Sequence, residues 1–164
     1  MNKPVFLCGF MGCGKSTVGR ELSKLLGCDF IDLDSYIEED SKMTISDIFK
    51  EFGEEHFRML ESSALEAMCD KQAVIATGGG ALISEKNADA ALRSGKVVYI
   101  ELAFEKCYDR IKDSPNRPIV KRSTKEELEE LFNRRTQSYK SHCSFTVNGD
   151  NTPREIAKEI ISYF

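Results

Sequence analysis

The stretch Gly9-Phe10-Met11-Gly12-Cys13-Gly14-Lys15-Ser16-Thr17 fits G-x-x-x-x-G-K-[ST], the pattern of a phosphate-binding P-loop. Glycines at these places let successive backbone N–H groups turn toward one anion, and a helix opening beyond them adds the positive end of its dipole. Lys15 is placed to reach the β- and γ-phosphates of a nucleotide, and the Ser16 hydroxyl to hold magnesium. The bland reading is a glycine-rich turn with a chance lysine. The flanks argue against it: Val5-Phe6-Leu7-Cys8 reads as a strand and Ser16 to Leu26 as an amphipathic helix, the order such a loop requires.

Further constellations could supply an acceptor. Asp32-Leu33-Asp34 follows a second apolar run, and strand alternation would aim both carboxylates the same way, at the strand end where open parallel sheets bind ligands. Asp32 is a candidate for the magnesium shell through water, and Asp34 for a substrate hydroxyl and its proton. Arg58 and Glu61, three apart on a helix, share a face. A surface ion pair would explain them, but arginine in an insert between two strands also suits a carboxylate or phosphate. Thr77-Gly78-Gly79-Gly80 ends a third strand without an acidic residue. Asp32 then has to serve as the metal's carboxylate, and the glycines permit close approach of a ligand. Arg134 and Arg135 fall near an expected helix end, where the dipole alone favours cations; one of them could join Arg58 in a clamp on an anion.

The run Asp113-Ser114-Pro115-Asn116-Arg117-Pro118-Ile119-Val120-Lys121-Arg122 is basic in an acidic chain, and its two prolines forbid a regular helix. It reads either as a solvated loop or as a lid that brings Arg117 to a transferring phosphoryl group.

The elements that position these residues follow from periodicity. Apolar, β-rich runs recur at 5–8, 28–31, 73–76, 97–102 and 145–147, separated by segments of helical spacing. This alternation predicts a doubly wound α/β fold with a parallel sheet. Thr44 starts a short helix that Gly53 ends, and Glu54 to Cys69 forms a longer one. Thr124 with Glu127 and Thr152 with Glu155 are capping boxes, the second with Pro153 at the first helical position.

With 164 residues and a net charge of −4, one domain and a small-molecule partner are expected, rather than nucleic acid or a membrane surface. The cysteines Cys8, Cys13, Cys28, Cys69, Cys107 and Cys143 include no C-x-x-C pair, and no stretch suggests a signal peptide or membrane span. They read as reduced thiols of a cytoplasmic protein, with Cys13 open to oxidation or alkylation if exposed.

Gly9 to Gly19 around the P-loop, Asp32-x-Asp34, Phe57-Arg58-x-x-Glu61, Gly78-Gly79-Gly80, Arg117-Pro118 and Arg135-x-x-x-Tyr139 together resemble the shikimate kinase family, in order and spacing, over essentially the whole chain. The resemblance implies a single three-layer α/β P-loop kinase domain (1–164) of the nucleoside monophosphate kinase type. Its parallel sheet would have five strands in the order 2-3-1-4-5, with helices on both faces, a shikimate-binding insert at 33–62 and a lid at 112–123. The implied reaction moves the ATP γ-phosphoryl group to the 3-hydroxyl of shikimate, a step toward chorismate and the aromatic amino acids. In that resemblance Gly12, Cys13, Gly14, Lys15, Ser16 and Thr17 hold ATP phosphates, and Ser16 binds Mg2+ directly and Asp32 through water. Arg110 and Pro153 border adenine, and Arg117 is the lid arginine. Asp34, Arg58, Gly79 and Arg135 contact shikimate, flanked by Gly78 and Gly80. Lys15, Asp34 and Arg117 carry the catalysis, and a monomer is expected. Cys13, Gln137 and Cys143 depart from the family's usual alanine, proline and alanine.

Two other functions fit part of the pattern. A gluconate-type small-metabolite kinase would also use Arg58, Arg135 and Asp34, but the triple glycine and the Phe10-Met11 loop favour shikimate. A non-catalytic P-loop module would be expected to lack the lysine, the serine or the acceptor residues, all of which are present.

Overall fold

Strands whose every residue is buried need cover on both faces, and two of the short apolar runs are of that kind. In the computed structural model, which describes residues 2–115 and 117–164, β1 (Val5–Cys8) and β3 (Ala73–Ala76) are buried throughout. With β2 (Asp29–Asp32), β4 (Lys96–Glu101) and β5 (Phe145–Asn148) they form one parallel sheet in the order β2-β3-β1-β4-β5. Phe6 of β1 faces Ile75 of β3 on one side and Val97 of β4 on the other. Both the expected fold class and the strand order are observed. The central position of β1 puts the loop that follows it at the middle of the sheet's C-terminal edge, where ligands of open parallel sheets bind.

The helices are α1 (Lys15–Leu26), α2 (Leu33–Ser41), α3 (Ile45–Met68), α4 (Glu85–Ser94), α5 (Phe104–Ile111), α6 (Pro118–Lys121), α7 (Lys125–Ser141) and α8 (Pro153–Ile161). A 3-10 turn spans Ala81–Ile83. Thr124 and Thr152 each accept from the backbone N–H three residues on, while Glu127 and Glu155 return the bond, so both capping boxes form. Such caps contribute about 1 kcal/mol each.

The two helices expected on either side of Gly53 are both present, since α3 breaks at that residue (φ 84°, ψ 172°), a conformation open to glycine. Two boundaries differ from the sequence reading. The proline-bearing run is not irregular throughout, because Pro118 occupies the first position of α6, where its missing N–H costs nothing; Asn116 lies outside the described residues. Arg134 and Arg135 lie inside α7 rather than at its end, so their place owes nothing to the terminal dipole.

The P-loop is anchored by aromatic packing. The Phe10 ring lies 5.2 Å from Phe132 of α7 and 6.3 Å from Phe104 of α5, both edge-on. Burying such a ring stabilises by roughly 1.5–3 kcal/mol, which resists lifting the loop off the sheet.

Candidate functional site

Gly9, Gly12 and Gly14 have φ of 145°, 82° and 99°, so the loop wraps as the motif requires, and Gly14 caps α1. Lys15 folds back over the loop, its Nζ donating to O of Gly9 at 2.8 Å and to O of Phe10 at 3.1 Å. The Ser16 hydroxyl donates to Oδ2 of Asp32 at 2.6 Å. Cys13 is buried at 2% exposure, so the condition for its oxidation or alkylation, an exposed thiol, is not met. Burial pushes the Cys107 thiol up to about 12 and the Cys8 thiol well above its ordinary value, which leaves both protonated and inert.

Asp32 and Asp34 both reach the cleft, but not by strand alternation. Asp32 ends β2 and caps α2, its Oδ1 accepting from the Ser35 N–H at 3.3 Å, while Asp34 lies in the first turn of α2 with Leu33 buried between. The turn from strand to helix, not the pleat, brings the carboxylates to one cavity. Burial raises the Asp34 pKa, with the Asp32 charge adding to it and Lys15 and Arg117 opposing. Its Oδ1 is buried with no partner among the described residues, as is Oε2 of Glu61.

The three glycines after β3 each make room for one polar group of the site. A Cβ on Gly78 would lie 2.8 Å from Oδ1 of Asp34 and 2.9 Å from Oε2 of Glu61. On Gly79 it would lie 3.3 Å from Nη1 of Arg135, and on Gly80 2.4 Å from Nη1 of Arg58. Two carboxyls and two guanidiniums thus pack against bare backbone. The turn itself is pinned from α7: the Tyr139 hydroxyl donates to O of Gly79, and Nδ1 of His142 donates to O of Leu82 at 2.8 Å. Neither contact was read from the sequence; a buried tyrosine four residues after a buried arginine is the signal that could have suggested the first.

Arg58 and Glu61 form the ion pair their spacing allows, at 2.7 Å, and Glu61 is almost fully buried. Burial raises the Glu61 pKa while Arg58 opposes it. Desolvation works against the Arg58 charge, yet Glu61 and Glu54 outweigh it and hold the guanidinium pKa up. Arg135 is buried at 8% exposure and makes no ion pair among the described residues. A buried unpaired cation invites an anion from outside the chain.

Two cavities meet over these residues. One, of about 510 Å3, is lined by Gly12 to Val18, Asp32, Arg110 and Pro153. A second, of about 110 Å3, lies among Phe49, Phe57, Arg58, Glu61 and Pro118. Asp34, Gly78, Gly79 and Arg117 line both. Arg135 lines neither: it faces an adjoining cavity of about 540 Å3 together with Arg58, Glu61 and Gly80. Arg110 donates to O of Gly12 at 2.9 Å and so closes over the P-loop from α5. Phe49 is not among the residues the sequence singles out, because an apolar residue on a helix reads as core until the helix is docked.

A family model for shikimate kinase matches residues 11–164. A shikimate kinase from Sulfurihydrogenibium sp. (strain YO3AOP1) is 37% identical over 162 residues, 98% of this chain and 96% of that protein. The solved shikimate kinase from Acinetobacter baumannii in complex with shikimate is similar with a TM-score of 0.94 at 34% identity, covering 98% of this chain and 92% of that one. A gluconokinase from Sinorhizobium meliloti is similar with a TM-score of 0.60 at 14% identity, a likeness of fold alone.

Proposed function

This chain belongs to the shikimate kinase family and is a kinase that phosphorylates shikimate, and we propose that its two meeting cavities divide the reaction between nucleotide and acceptor. The observation that carries this division is that Asp34, Gly78, Gly79 and Arg117 belong to both cavities, so a phosphoryl group can pass between them without leaving the site.

In this reading Gly12 to Thr17 hold the ATP phosphates by backbone N–H groups, and Arg110 and Pro153 border the adenine. Lys15 exchanges its carbonyl partners for the β- and γ-phosphates. Arg58 and Arg135 take the shikimate carboxylate, and Asp34 accepts a hydrogen bond from the 3-hydroxyl. The hydroxyl oxygen bonds to the γ-phosphorus, the bond to the β-phosphate oxygen breaks, ADP leaves, and the hydroxyl proton passes to Asp34 or to water. A buried carboxyl of raised pKa suits that acceptance. Arg117 neutralises charge on the moving group, and the segment 112–123 acts as its lid while 33–62 forms the acceptor insert.

Ser16 and Asp32 suit Mg2+. Hydroxyl and carboxylate oxygens are hard donors, and magnesium is ordinarily held by one or two such groups with substrate phosphates completing its shell. Bound there, the ion would neutralise phosphate charge. No helix among the described residues is long and apolar enough to cross a membrane, and six free thiols suit the reducing cytoplasm as the enzyme's place. One chain lines both cavities, in keeping with an active monomer.

Release of ADP from ATP and Mg2+ should depend on shikimate and not on gluconate or a nucleoside monophosphate. Equal turnover with gluconate would defeat the acceptor assignment.

A further inference from the structure

Glu54 joins two cations that belong to different parts of the site. Its Oε1 lies 3.4 Å from Nη2 of Arg58, and its Oε2 lies 3.5 Å from Nη2 of Arg122, the residue that closes α6. The Arg122 guanidinium also stands 5.8 Å over the ring of Phe49, which shares the smaller cavity with Pro118 and Ile119 of α6. The Gly53 break makes this possible, since it separates the stretch of α3 carrying Phe49 from the one carrying Glu54 and Arg58.

The two carboxylate partners of Arg58 are unequal. Glu61 is 2.7 Å away with its side chain 2% exposed, whereas Glu54 is 3.4 Å away and 50% exposed. Gly80 lies against the same guanidinium and closes another side of it. Breaking the buried pair would strand a charge out of water; breaking the exposed one returns Glu54 to solvent at little cost. An incoming carboxylate therefore displaces Glu54.

We propose that Glu54 is a positioning residue shared between Arg58 and Arg122, and that an acceptor carboxylate on Arg58 releases it to Arg122, securing α6 over the acceptor. Arg117, which precedes α6 and lines both cavities, then carries the effect to the nucleotide. Linkage makes the effect reciprocal: acceptor tightens nucleotide by the factor that nucleotide tightens acceptor. The proposal rests on the reading of Arg58 as the carboxylate-binding group.

Calorimetric titration of the intact protein with ADP and Mg2+, with and without saturating shikimate, tests it. In the wild type shikimate should tighten ADP. Glu54→Gln and Arg122→Gln should each cut that tightening about two- to five-fold, the range that exposed ion pairs reach. The double variant should lose no more than either single one, and ADP affinity without shikimate should be unchanged in all three. Full tightening in the single variants, additive losses in the double one, or no tightening in the wild type would each overturn the proposal. Arg58→Ala separates the two levels: if it binds shikimate as tightly as wild type, the carboxylate reading of Arg58 fails, whereas weakened shikimate binding there with intact coupling in Glu54→Gln defeats only the shared-carboxylate proposal.

Discussion

The Oγ of Ser16 donates a 2.6 Å hydrogen bond to Oδ2 of Asp32, so the first turn of α1 is tied to the end of β2 across the intervening β3. This contact joins the two oxygen donors assigned to magnesium and needs no acidic residue at the end of β3.

Asp32→Asn and Ser16→Ala should therefore raise the magnesium concentration needed for ADP release. A carboxylate that acts on a metal through the groups bound to it typically contributes 10- to 100-fold to metal affinity, and a direct ligand at least as much, so roughly tenfold for Asp32→Asn and more for Ser16→Ala is expected. A magnesium titration at saturating ATP and shikimate measures it. Wild-type magnesium curves for both variants would refute the assignment.

Lys15→Ala and Arg117→Ala should lower kcat by about 10²–10³ with little change in the shikimate KM, because each is assigned to charge that develops during transfer. Among the described residues the side chain of Lys15 bonds only within its own loop, so circular dichroism of Lys15→Ala should match the wild type. Turnover within tenfold of normal would mean that the loop lysine is not where transfer occurs.

Gly80 separates steric from backbone effects. Its φ of −99° is open to any residue, yet a Cβ there would sit 2.4 Å from Nη1 of Arg58. Gly80→Ala should displace the guanidinium and raise the shikimate KM in the same direction as Arg58→Ala. For the latter, loss of a charged hydrogen bond of about 1.5–3 kcal/mol corresponds to roughly 10- to 150-fold. The ATP KM should rise in both by no more than the roughly two- to five-fold that the link through Glu54 supplies. Steady-state kinetics with each substrate varied decides it, and a normal shikimate KM in Gly80→Ala would show that Arg58 is not held as described.

Asp34 links activity to stability. Its pKa is raised above the ordinary 3.8, first by burial and then by Asp32. A carboxyl raised in the folded state contributes stability that is complete below its unfolded pKa and is lost as pH rises through the folded one. The wild type should lose that contribution as pH rises, whereas the neutral amide of Asp34→Asn does not titrate. The variant should gain melting temperature relative to the wild type as pH rises from 4 toward 8, and lose that gain as pH falls again. Its turnover should fall sharply. Thermal melts across that range check the sign; a variant less stable at pH 8 than at pH 4, relative to wild type, would contradict it.

Much of this was legible in the residues. The P-loop, the five apolar runs and the two capping boxes are local patterns, and each sits within a residue or two of its expected place. That Asp32 and Asp34 share a cavity follows from a different local cause than strand alternation, because the strand turns into a helix between them. The sequence pairs Arg58 with Glu61 and offers it to a clamp with Arg135; Glu54, four residues before Arg58, is equally within helical reach but is shared with Arg122 only in the folded chain.

By itself the sequence determined which groups exist and which local shapes they prefer, since hydrogen-bond periods and caps act over a few residues. Only the tertiary structure decided which groups meet. Tyr139 reaches the Gly79 carbonyl across 60 residues, and Arg122 reaches Glu54 across 68. Such contacts depend on how helices dock on the sheet, which is set by packing of the whole core rather than by any one segment. The three glycines belong to both levels: their run is visible in the chain, but that they make room for Asp34 and Glu61, Arg135 and Arg58 is a fact of the folded backbone.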